Sequence, residues 1–482
     1  MAFTSLAFFL FVPIVLAGFL ALPGRMRLAW LLAASAVFYA SYGIGAFLHL
    51  VFVVALAHAA AHGLERAATP AHRRAMLAAG VGGLIAALGF SKFGDFALAE
   101  LARTTGMPEL RTGLTAPPGF SFYVFMATAY VVDVWRGLVQ PTGLVQTALQ
   151  LSWFPKILAG PIERAGSILP QLGEAMRANP VQTALGLQLI LWGLIKKVVI
   201  ADNLAPLVDR TFAIPAYAPP MELLISLYFF AFQLYCDFSG YTDMAIGLSL
   251  LFGIALRENF RRPFLSLTVN EFWSKRWHIS LGNWFRDYLF FPLTGSRGAS
   301  ALRQHLALLA VFAASGLWHA GQGYGVGWAF VIWGLLNGAY VSVEKMLQPA
   351  GRRFARRYPL VAGSSVMAML RVFVTFHLIL ITWAFFRADT VENAVLILQR
   401  IGAALPEMAG LVLRYPFTTE HALGAGLIIA LFSVEVLSER RGFIERLRAW
   451  PTALRWSAWY AGLAALLLLG RWGEGAFIYQ GF

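Results

Sequence analysis

Residues 222–256 read E-L-L-I-S-L-Y-F-F-A-F-Q-L-Y-C-D-F-S-G-Y-T-D-M-A-I-G-L-S-L-L-F-G-I-A-L, an apolar run that begins at a glutamate and contains two carboxylates in its interior, Asp237 and Asp243. About 20 apolar residues are enough for a helix to cross the hydrocarbon core of a bilayer, and this run is longer. A charged side chain at membrane depth costs about 3 kcal/mol on insertion scales, so such groups line a cavity that protein encloses or water fills. The run therefore predicts a membrane helix that carries polar groups into the protein.

The composition of the whole chain agrees with a membrane environment. Of the 482 residues, 59% are hydrophobic and 13% are charged, and the mean hydropathy is +0.66. A typical soluble domain is about 45–50% apolar and about 25% charged, so a soluble globular protein is excluded. The aromatic content of 14% excludes extended disorder, and Cys236, the single cysteine, excludes a disulfide scaffold, a zinc ribbon and an iron–sulfur protein. Membrane lipid is the expected partner of most of the surface.

The net charge of +14 has the same explanation. There are 38 Lys and Arg against 24 Asp and Glu, a balance that in a soluble protein would suggest nucleic-acid binding. Here the basic residues gather in short segments between apolar runs, where the positive-inside rule and anionic lipid account for them. We expect no nucleic-acid partner.

Twelve apolar runs are candidate membrane spans. They lie near residues 3–22, 28–42, 44–62, 75–93, 120–136, 181–200, 222–256, 302–318, 325–345, 366–386, 422–437 and 456–471. The first run has no preceding positive region and is followed by Arg25 and Arg27, which predicts an uncleaved span with its N-terminus outside.

This orientation places the richest basic segments on the cytoplasmic side. They are Arg66 with Arg73 and Arg74, then 257–303 with eight Lys or Arg, and 345–357 and 439–455 with five each. Lys196 and Lys197 conflict with it, because they fall near the outer end of their span. We therefore expect one of the neighbouring spans to be re-entrant.

The chain shows no repeat, heptad, Pro-rich linker or low-complexity tract, which predicts one polytopic domain over 1–482. Within it, residues 150–320 remain rich in aromatic side chains but carry many charged groups among Pro and Gly breaks. Charged groups at membrane depth mark substrate paths and reaction centres, so we expect the chemistry in this segment.

Residues 270–292 read N-E-F-W-S-K-R-W-H-I-S-L-G-N-W-F-R-D-Y-L-F-F-P. Aromatic residues alternate with Lys275, Arg276, Arg286 and Asp287, which predicts an amphipathic segment that lies in the interface or enters the membrane. A helix that only anchors the chain to lipid phosphates is the competing interpretation.

Residues 314–320 read A-S-G-L-W-H-A, and His319 stands in this uncharged run ahead of Gly321, Gly323, Gly325 and Gly327. Histidine exchanges a proton near neutral pH, and burial in a dry cavity favours the neutral form that a general base needs. For His278 and His319 alike, a core histidine bound to a backbone carbonyl is the alternative.

Two further stretches carry polar groups. In Y-C-D-F-S-G-Y-T-D (235–243), the two carboxylates need partners, for which Arg257, Arg261 and Arg262 are candidates. In F-P-K-I-L-A-G-P-I-E-R (154–164), two prolines and a glycine prevent a continuous helix and predict a re-entrant loop with a buried Glu163–Arg164 pair.

Other reaction classes find no support. The sequence contains no G-x-S-x-G elbow and no P-loop, which argues against serine-hydrolase and NTPase chemistry. His58 and His62 have the spacing of a metal pair, with Glu65 one turn further on, but we interpret them as a cluster at a helix end. No metal is expected.

These stretches resemble the motifs of the membrane-bound O-acyltransferase (MBOAT) superfamily, and within it the bacterial branch typified by the integral-membrane component of alginate O-acetylation. The resemblance covers nearly the whole chain and keeps the order of the motifs. The matching segments are W-F-P-K-I-L-A-G-P-I-E-R (153–164), K-K-V-V-I-A-D-N-L (196–204), Y-C-D-F-S-G-Y-T-D-M-A-I-G (235–247), N-F-R-R-P-F (259–264), F-W-S-K-R-W-H-I-S-L-G-N-W-F-R-D-Y-L (272–289), S-G-L-W-H (315–319) and T-W-A-F-F-R-A (382–388).

The resemblance implies an all-α polytopic bundle of about 11–13 transmembrane helices, with re-entrant and amphipathic helices around a central funnel or tunnel. It implies acyl transfer from a thioester to a hydroxyl. His319 matches the superfamily's catalytic histidine, and His278 matches a second polar position that is histidine in this branch and often asparagine elsewhere. Substrate-binding or supporting roles are expected for Trp318, Trp277, Asp287, Arg286, Asn283, Lys275, Arg276, Asp237, Ser239, Tyr235, Glu163 and Arg164.

The resemblance also implies the substrates and the partner. The donor is expected to be cytoplasmic acetyl-CoA or an acyl-phosphopantetheine carrier, which the basic segment 257–303 would attract, with no tightly bound cofactor. The acceptor is a glycan outside the bacterial inner membrane, reached through a periplasmic esterase-like partner. The C-terminal F-I-Y-Q-G-F resembles an aromatic ending of the family, from which Gly481 departs.

Three alternatives stay open. A D-alanyl or other acyl transferase fed by a carrier protein belongs to the same superfamily. A transporter or channel would also place polar residues on broken helices, although the pseudo-symmetry between halves that is typical of transporters is absent from the sequence. A subunit that only recruits the periplasmic enzyme is the third.

Overall fold

The computed structural model describes residues 1–108, 116–173, 176–295, 299–320, 327–439, 443–473 and 477–478. The protein is all-α: helices make up 79% of it, and the described residues contain no strand.

The described α-helices are α1 (Leu6–Ala21), α2 (Gly24–Ala40), α3 (Ile44–Arg66), α4 (Pro70–Thr105), α5 (Phe120–Trp135), α6 (Leu144–Ser152), α7 (Ala165–Ile168), α8 (Pro180–Leu194), α9 (Asp202–Ala213), α10 (Pro220–Leu251), α11 (Val269–Glu271), α12 (Ile279–Phe285), α13 (Phe291–Thr294), α14 (Ala301–His319), α15 (Trp328–Arg357), α16 (Pro359–Ala362), α17 (Ser365–Arg387), α18 (Val391–Ala404), α19 (Met408–Arg414), α20 (Thr419–Leu437), α21 (Phe443–Arg448) and α22 (Thr452–Leu469). Turns of π-helix cover Ile195–Ala201, Phe272–Arg276 and Arg286–Phe290, and 3₁₀ turns cover Leu169–Gln171, Pro263–Leu265 and Leu405–Glu407.

Nine helices of the described chain are long and apolar enough to cross a membrane. Each of the twelve predicted runs overlaps a helix, and eight of the nine spans fall on predicted runs. The span that the apolar pattern missed is Val391–Arg414, which contains Glu392, Arg400, Pro406 and Glu407 and therefore offers no continuous apolar run.

The chain divides into two compact units. Unit 1 comprises residues 1–198, 238–258 and 466–482, and unit 2 comprises 199–237 and 259–465. Each unit combines stretches that are separate in the sequence. The boundary between the two units falls within α10, so that this helix contributes residues to both. The expectation of one domain over 1–482 stays a prediction.

The core of unit 1 is built around α5, which packs against α3 and α4. Fourteen of its 16 residues are buried, among them Tyr123, Tyr130 and Asp133. A helix that is apolar on every face has to be surrounded by other helices, and this explains why α5 lies at the centre of its neighbours rather than against lipid.

Close approach of α8 and α10 also stabilises unit 1. A Cβ atom at Gly193 would lie 2.5 Å from the carbonyl oxygen of Gly240, and one at Gly186 would lie 2.6 Å from that of Gly247. Only glycine leaves room for the two backbones, as is typical of membrane helix pairs with small residues at their interface.

The lysines that conflicted with the predicted topology lie inside a span. The helix does not end near residue 200 but continues through the π-helical turn Ile195–Ala201 to Ala213. Lys196 is buried, forms an ion pair with Asp243 and donates to Ser239 Oγ at 3.1 Å. The predicted re-entrant neighbour was inferred from a wrong helix end, and the predicted arginine partners of Asp243 were wrong.

In unit 2, α14 and α15 form an antiparallel hairpin, and α17 packs against α15. A Cβ atom at Gly316 would lie 2.3 Å from the carbonyl oxygen of Phe330, and one at Gly334 would lie 2.2 Å from that of Phe312. This tight contact fixes the end of α14, where His319 lies, against the first turns of α15.

Candidate active site

A cavity of about 1430 Å³ lies within unit 2. Its walls come from residues 267–290, α14, α15 and α17, and both His278 and His319 line it. The two histidines, 41 positions apart in the sequence, therefore border the same cavity. This volume exceeds the range of about 300–1,000 Å³ for ordinary ligand pockets and is large enough for an extended substrate.

His319 occupies the last position of α14 and is 3% exposed. Its ring lies 5.2 Å from that of Trp333 and 5.0 Å from that of Phe386, measured between centroids. The Trp318 ring lies near both imidazoles, 4.6 Å from His319 and 6.3 Å from His278. Aromatic packing thus restricts the orientation of His319.

His278 stands immediately before α12 with a backbone φ of 43° and ψ of 53°, in the left-handed region. Few residues adopt this conformation, and Asn, Asp and His are enriched among those that do. The imidazole is 3% exposed, and burial lowers the pKa of His278 to about 3. His278 is therefore neutral at physiological pH, with one ring nitrogen as donor and the other as acceptor.

Indole rings make up much of the wall around the histidines. Trp273, Trp277 and Trp333 line the cavity, and Trp273 Nε1 donates to Asn337 Oδ1 at 3.0 Å. Asn337 in turn donates to the carbonyl oxygen of Trp333 at 2.8 Å. Trp273, Trp333 and Asn337 were not predicted as site residues, and the aromatic enrichment beside His278 was the only signal that pointed to any of them.

The other end of the cavity is basic. The cavity-lining residues of α15 run from Trp333 to Ala355, which spans about 33 Å at 1.5 Å per residue. Toward the second end, Lys345, Arg352 and Arg371 line the cavity and are exposed. These three residues lie outside the basic segment 257–303 from which the donor site was predicted, and Arg286 is a cavity-lining cation of that segment.

The remaining predicted residues of unit 2 separate into two groups. Trp277, Asn283 and Arg286 line the cavity. Arg286 also forms a half-exposed ion pair with Asp287 at 2.9 Å, and Lys275 is exposed.

The second group serves the packing of unit 2. Arg276 binds Glu271 and Glu439, each at 2.7 Å. Tyr235 donates to the buried carboxylate of Glu435, and Asp237 is buried.

Glu163, Arg164 and Ser239 belong to unit 1. Glu163 accepts from the backbone N–H of Arg257 and forms its ion pair with the same residue at 3.6 Å, so the predicted Glu163–Arg164 pair was wrong. Burial raises the pKa of Glu163 and lowers the pKa of the nearby Lys156. The loop brings Arg257, 94 positions away, to the carboxylate, a contact that adjacency in sequence does not reveal.

Parts of two predicted features lie outside the described residues: Gly321, Gly323 and Gly325 of the glycine-rich stretch, and residues 479–482 of the C-terminal tail. Of that tail, Phe477 is buried in unit 1, where its ring packs 5.2 Å from Tyr241 and beneath the Lys197 ammonium at 4.6 Å. The C-terminal segment is therefore anchored at its start.

The arrangement has defined chemical capabilities. A neutral imidazole can accept a proton from a hydroxyl, and a second imidazole at the same cavity can donate a hydrogen bond to a developing charge. Among the described residues, no group of three or more His, Cys, Asp or Glu could hold a metal ion. The roles of His278 and His319 in catalysis stay predictions.

Comparisons with known proteins give the family. The family described as MBOAT, membrane-bound O-acyltransferase family, matches residues 136–388. The chain is 36% identical over 403 residues to "Probable alginate O-acetylase AlgI" of Azotobacter vinelandii, covering 82% of this chain and 76% of the relative. It is 32% identical over 428 residues to "Peptidoglycan O-acetyltransferase" of Helicobacter pylori, covering 82% and 78%.

A more distant relative is "Teichoic acid D-alanyltransferase" of Bacillus subtilis, 25% identical over 270 residues, covering 54% of this chain and 66% of the relative. The family match extends over more than half of the chain, and the alignments to the acetyl-transferring relatives cover most of it. The chain belongs to the membrane-bound O-acyltransferase family and is a multi-pass membrane O-acyltransferase.

Proposed function

We propose that the protein transfers an acetyl group from acetyl-CoA to a hydroxyl of an exopolysaccharide or cell-envelope glycan, in the bacterial inner membrane and through a periplasmic esterase-like partner. The observation that carries this proposal is the cavity of unit 2, with two buried histidines at one end and exposed cations at the other.

The shape of the cavity suits a long thioester donor. Coenzyme A carries its phosphates at one end and its thioester at the other, with an extended arm between them. Lys345, Arg352 and Arg371 would bind the phosphates, because charge-assisted hydrogen bonds to phosphate are among the strongest that side chains form. The thioester would then lie beside the histidines, along the cavity-lining face of α15.

The presence of both imidazoles at one cavity supports the following reaction. His319 accepts the proton of the acceptor hydroxyl as its oxygen attacks the thioester carbonyl carbon, and His278 donates a hydrogen bond to the carbonyl oxygen. The C–S bond then breaks, the thiolate takes the proton from His319, and the acetyl ester remains on the acceptor. Burial keeps His278 neutral, so this hydrogen bond introduces no additional buried charge.

The relatives support the class of acceptor. One is named for alginate and another for peptidoglycan, and both substrates are glycans with free hydroxyls. A glycan outside the inner membrane cannot enter the cytoplasm, so an acetyl group taken from a cytoplasmic donor has to cross through this protein and be passed to a partner on the other side.

The test uses purified protein in nanodiscs with radiolabelled acetyl-CoA. We compare the wild type with His319→Ala and with His278→Gly, since glycine removes the imidazole without strain at a positive φ. His377→Gln is the matched control, because His377 lies on α17 but binds Tyr228 at 2.7 Å and does not line the cavity. Loss of acetyl release in both cavity variants and retention in the control would support the proposal, and full activity in His319→Ala would refute it.

A carrier-bound aminoacyl donor is the second candidate, which the D-alanyltransferase relative favours. The same nanodiscs are incubated with D-alanyl-phosphopantetheine. Release of D-alanine that depends on His319, together with no turnover of acetyl-CoA, would replace acetyl with D-alanyl and leave the site residues unchanged.

A further inference from the structure

The backbone around His278 requires support from elsewhere in the chain. The residue before a helix normally caps it, since its side chain accepts hydrogen bonds from the free N–H groups of the first turn. His278 occupies this position before α12, but its side chain makes no capping hydrogen bond and instead lines the cavity. The N–H groups of Ile279 and Ser280 therefore need other acceptors.

Asn259 supplies both acceptors. Its backbone carbonyl oxygen accepts from Ile279 N–H at 2.9 Å. Its side-chain Oδ1 accepts from Ser280 N–H at 3.1 Å and from Ser280 Oγ at 2.8 Å. Asn259 is fully buried and does not line the cavity. It binds the two residues that follow His278 without contacting the space where a substrate would lie.

We propose that Asn259 is a positioning residue that caps α12 in place of His278 and thereby holds the imidazole of His278 at the cavity. A left-handed backbone is unfavourable for a residue other than glycine, so without the three hydrogen bonds His278 would relax toward an ordinary conformation. Its ring would then turn away from the reacting atoms. This inference rests on the proposed role of His278 in acyl transfer.

The geometry provides a matched control substitution. Asn259 Nδ2 is buried and has no hydrogen-bond partner in the part of the chain that the structure describes. Asn259→Asp therefore keeps the accepting oxygen and removes no hydrogen bond, and the helix N-terminus offsets part of the cost of burying the carboxylate. Asn259→Ala removes both side-chain bonds to Ser280.

The first measurement is acetyl release from radiolabelled acetyl-CoA by the full chain in nanodiscs. We expect Asn259→Ala to lower kcat by about 10- to 100-fold with an unchanged KM, because misplacement of a reacting group costs rate rather than donor binding. Asn259→Asp should restore most of kcat. In the His278→Gly background, Asn259→Ala should cause no further loss.

These outcomes separate the two proposals. If His278→Gly keeps wild-type activity, the proposed role of His278 fails. If His278→Gly loses activity while Asn259→Ala does not, or if the two losses multiply in the double variant, the positioning role of Asn259 fails and the proposed function stands.

The second measurement needs no donor. Diethyl pyrocarbonate modifies neutral imidazoles, and trypsin releases His278 as the only histidine of the peptide 277–286, so mass spectrometry reads its modification rate directly. We expect a several-fold faster rate in Asn259→Ala, a wild-type rate in Asn259→Asp, and no change at His377. Equal rates at His278 in all three proteins would overturn the proposal. If Asn259→Ala does not fold, Ser280→Ala, which removes only the 2.8 Å bond, gives a smaller change in the same direction.

Discussion

Both units bury polar groups, but the surroundings of Lys196 and Glu163 in unit 1 differ from those of the two histidines in unit 2. In unit 1, Lys196 is paired with Asp243, and Glu163 is paired with Arg257. In unit 2, the two histidines face an open cavity, and His278 is kept neutral by burial. Paired charges satisfy one another and stabilise a single arrangement, whereas an imidazole that lines a cavity borders the space where a substrate would lie. Burial of a polar group is therefore informative about function only when the group borders unfilled space.

The largest expected effect is on catalysis in unit 2. His319→Ala should lower acetyl transfer by about 10²- to 10⁴-fold, the usual contribution of a general base, and should leave the unfolding temperature within a few degrees of wild type. Radiometric assay and thermal unfolding in detergent measure the two quantities on one preparation. If His319→Ala instead unfolds at a clearly lower temperature and loses activity only in proportion to the unfolded fraction, the role of His319 is structural, like that of the ion pairs of unit 1.

The opposite pattern is expected for the ion pair of unit 1. Asp243→Ala leaves Lys196 buried without this carboxylate and should cost about 3 kcal/mol of unfolding free energy, seen as a lower midpoint in thermal denaturation. The double variant Lys196→Met/Asp243→Leu removes both charges and should recover most of that loss. Equal destabilisation in the single and double variants would contradict a charge-pairing explanation.

The free energy of unfolding should depend on pH through the titration of His278. Its pKa is lowered to about 3, whereas a histidine in the unfolded chain has a pKa near 6.5. The unfolded state therefore binds the extra proton between these values, and stability should fall by up to about 1.4 kcal/mol per pH unit as the pH drops below 6.5, with no effect above it.

His278→Asn removes this group, so its thermal midpoint should decline less steeply than that of the wild type between pH 6.5 and 4.5. Parallel curves for the two proteins would show that His278 does not titrate in this way.

The smallest expected effect concerns the left-handed backbone at His278. His278→Val should be less stable than His278→Asn by about 1–2 kcal/mol, because a β-branched residue tolerates a φ of 43° poorly and asparagine tolerates it well. Chemical denaturation of both variants gives the difference directly.

The apolar runs predicted eight of the nine candidate membrane spans of the described chain, because about 20 consecutive apolar residues have few alternatives in a bilayer. The pattern failed at Val391–Arg414, where polar residues interrupt the run, and near residue 200, where the predicted span ended but a π-helical turn continues the helix to Ala213. Both failures involve polar side chains whose partners lie far away in sequence.

The residues that line the cavity were also predicted only in part. His278, His319, Trp277 and Arg286 were expected and line one cavity. Arg352, Arg371 and Trp333 line it too and were not expected, because nothing in their own segments indicates which helix they face. Asn259 was quoted within a family motif, but its role depends on a contact with Ser280, 21 positions away.

The sequence by itself determined the membrane environment, the helical class and the family, and it singled out His278 and His319 as candidate site residues, since these depend on composition, run length and local motifs. Only the tertiary structure decided which charges are paired, which residues share the cavity, and that the backbone at His278 is left-handed. Ion pairs such as Glu163 with Arg257 and cavity walls such as residues 267–290 with α17 join residues from distant parts of the chain. Local patterns do not encode such contacts, because they form only when separate helices pack.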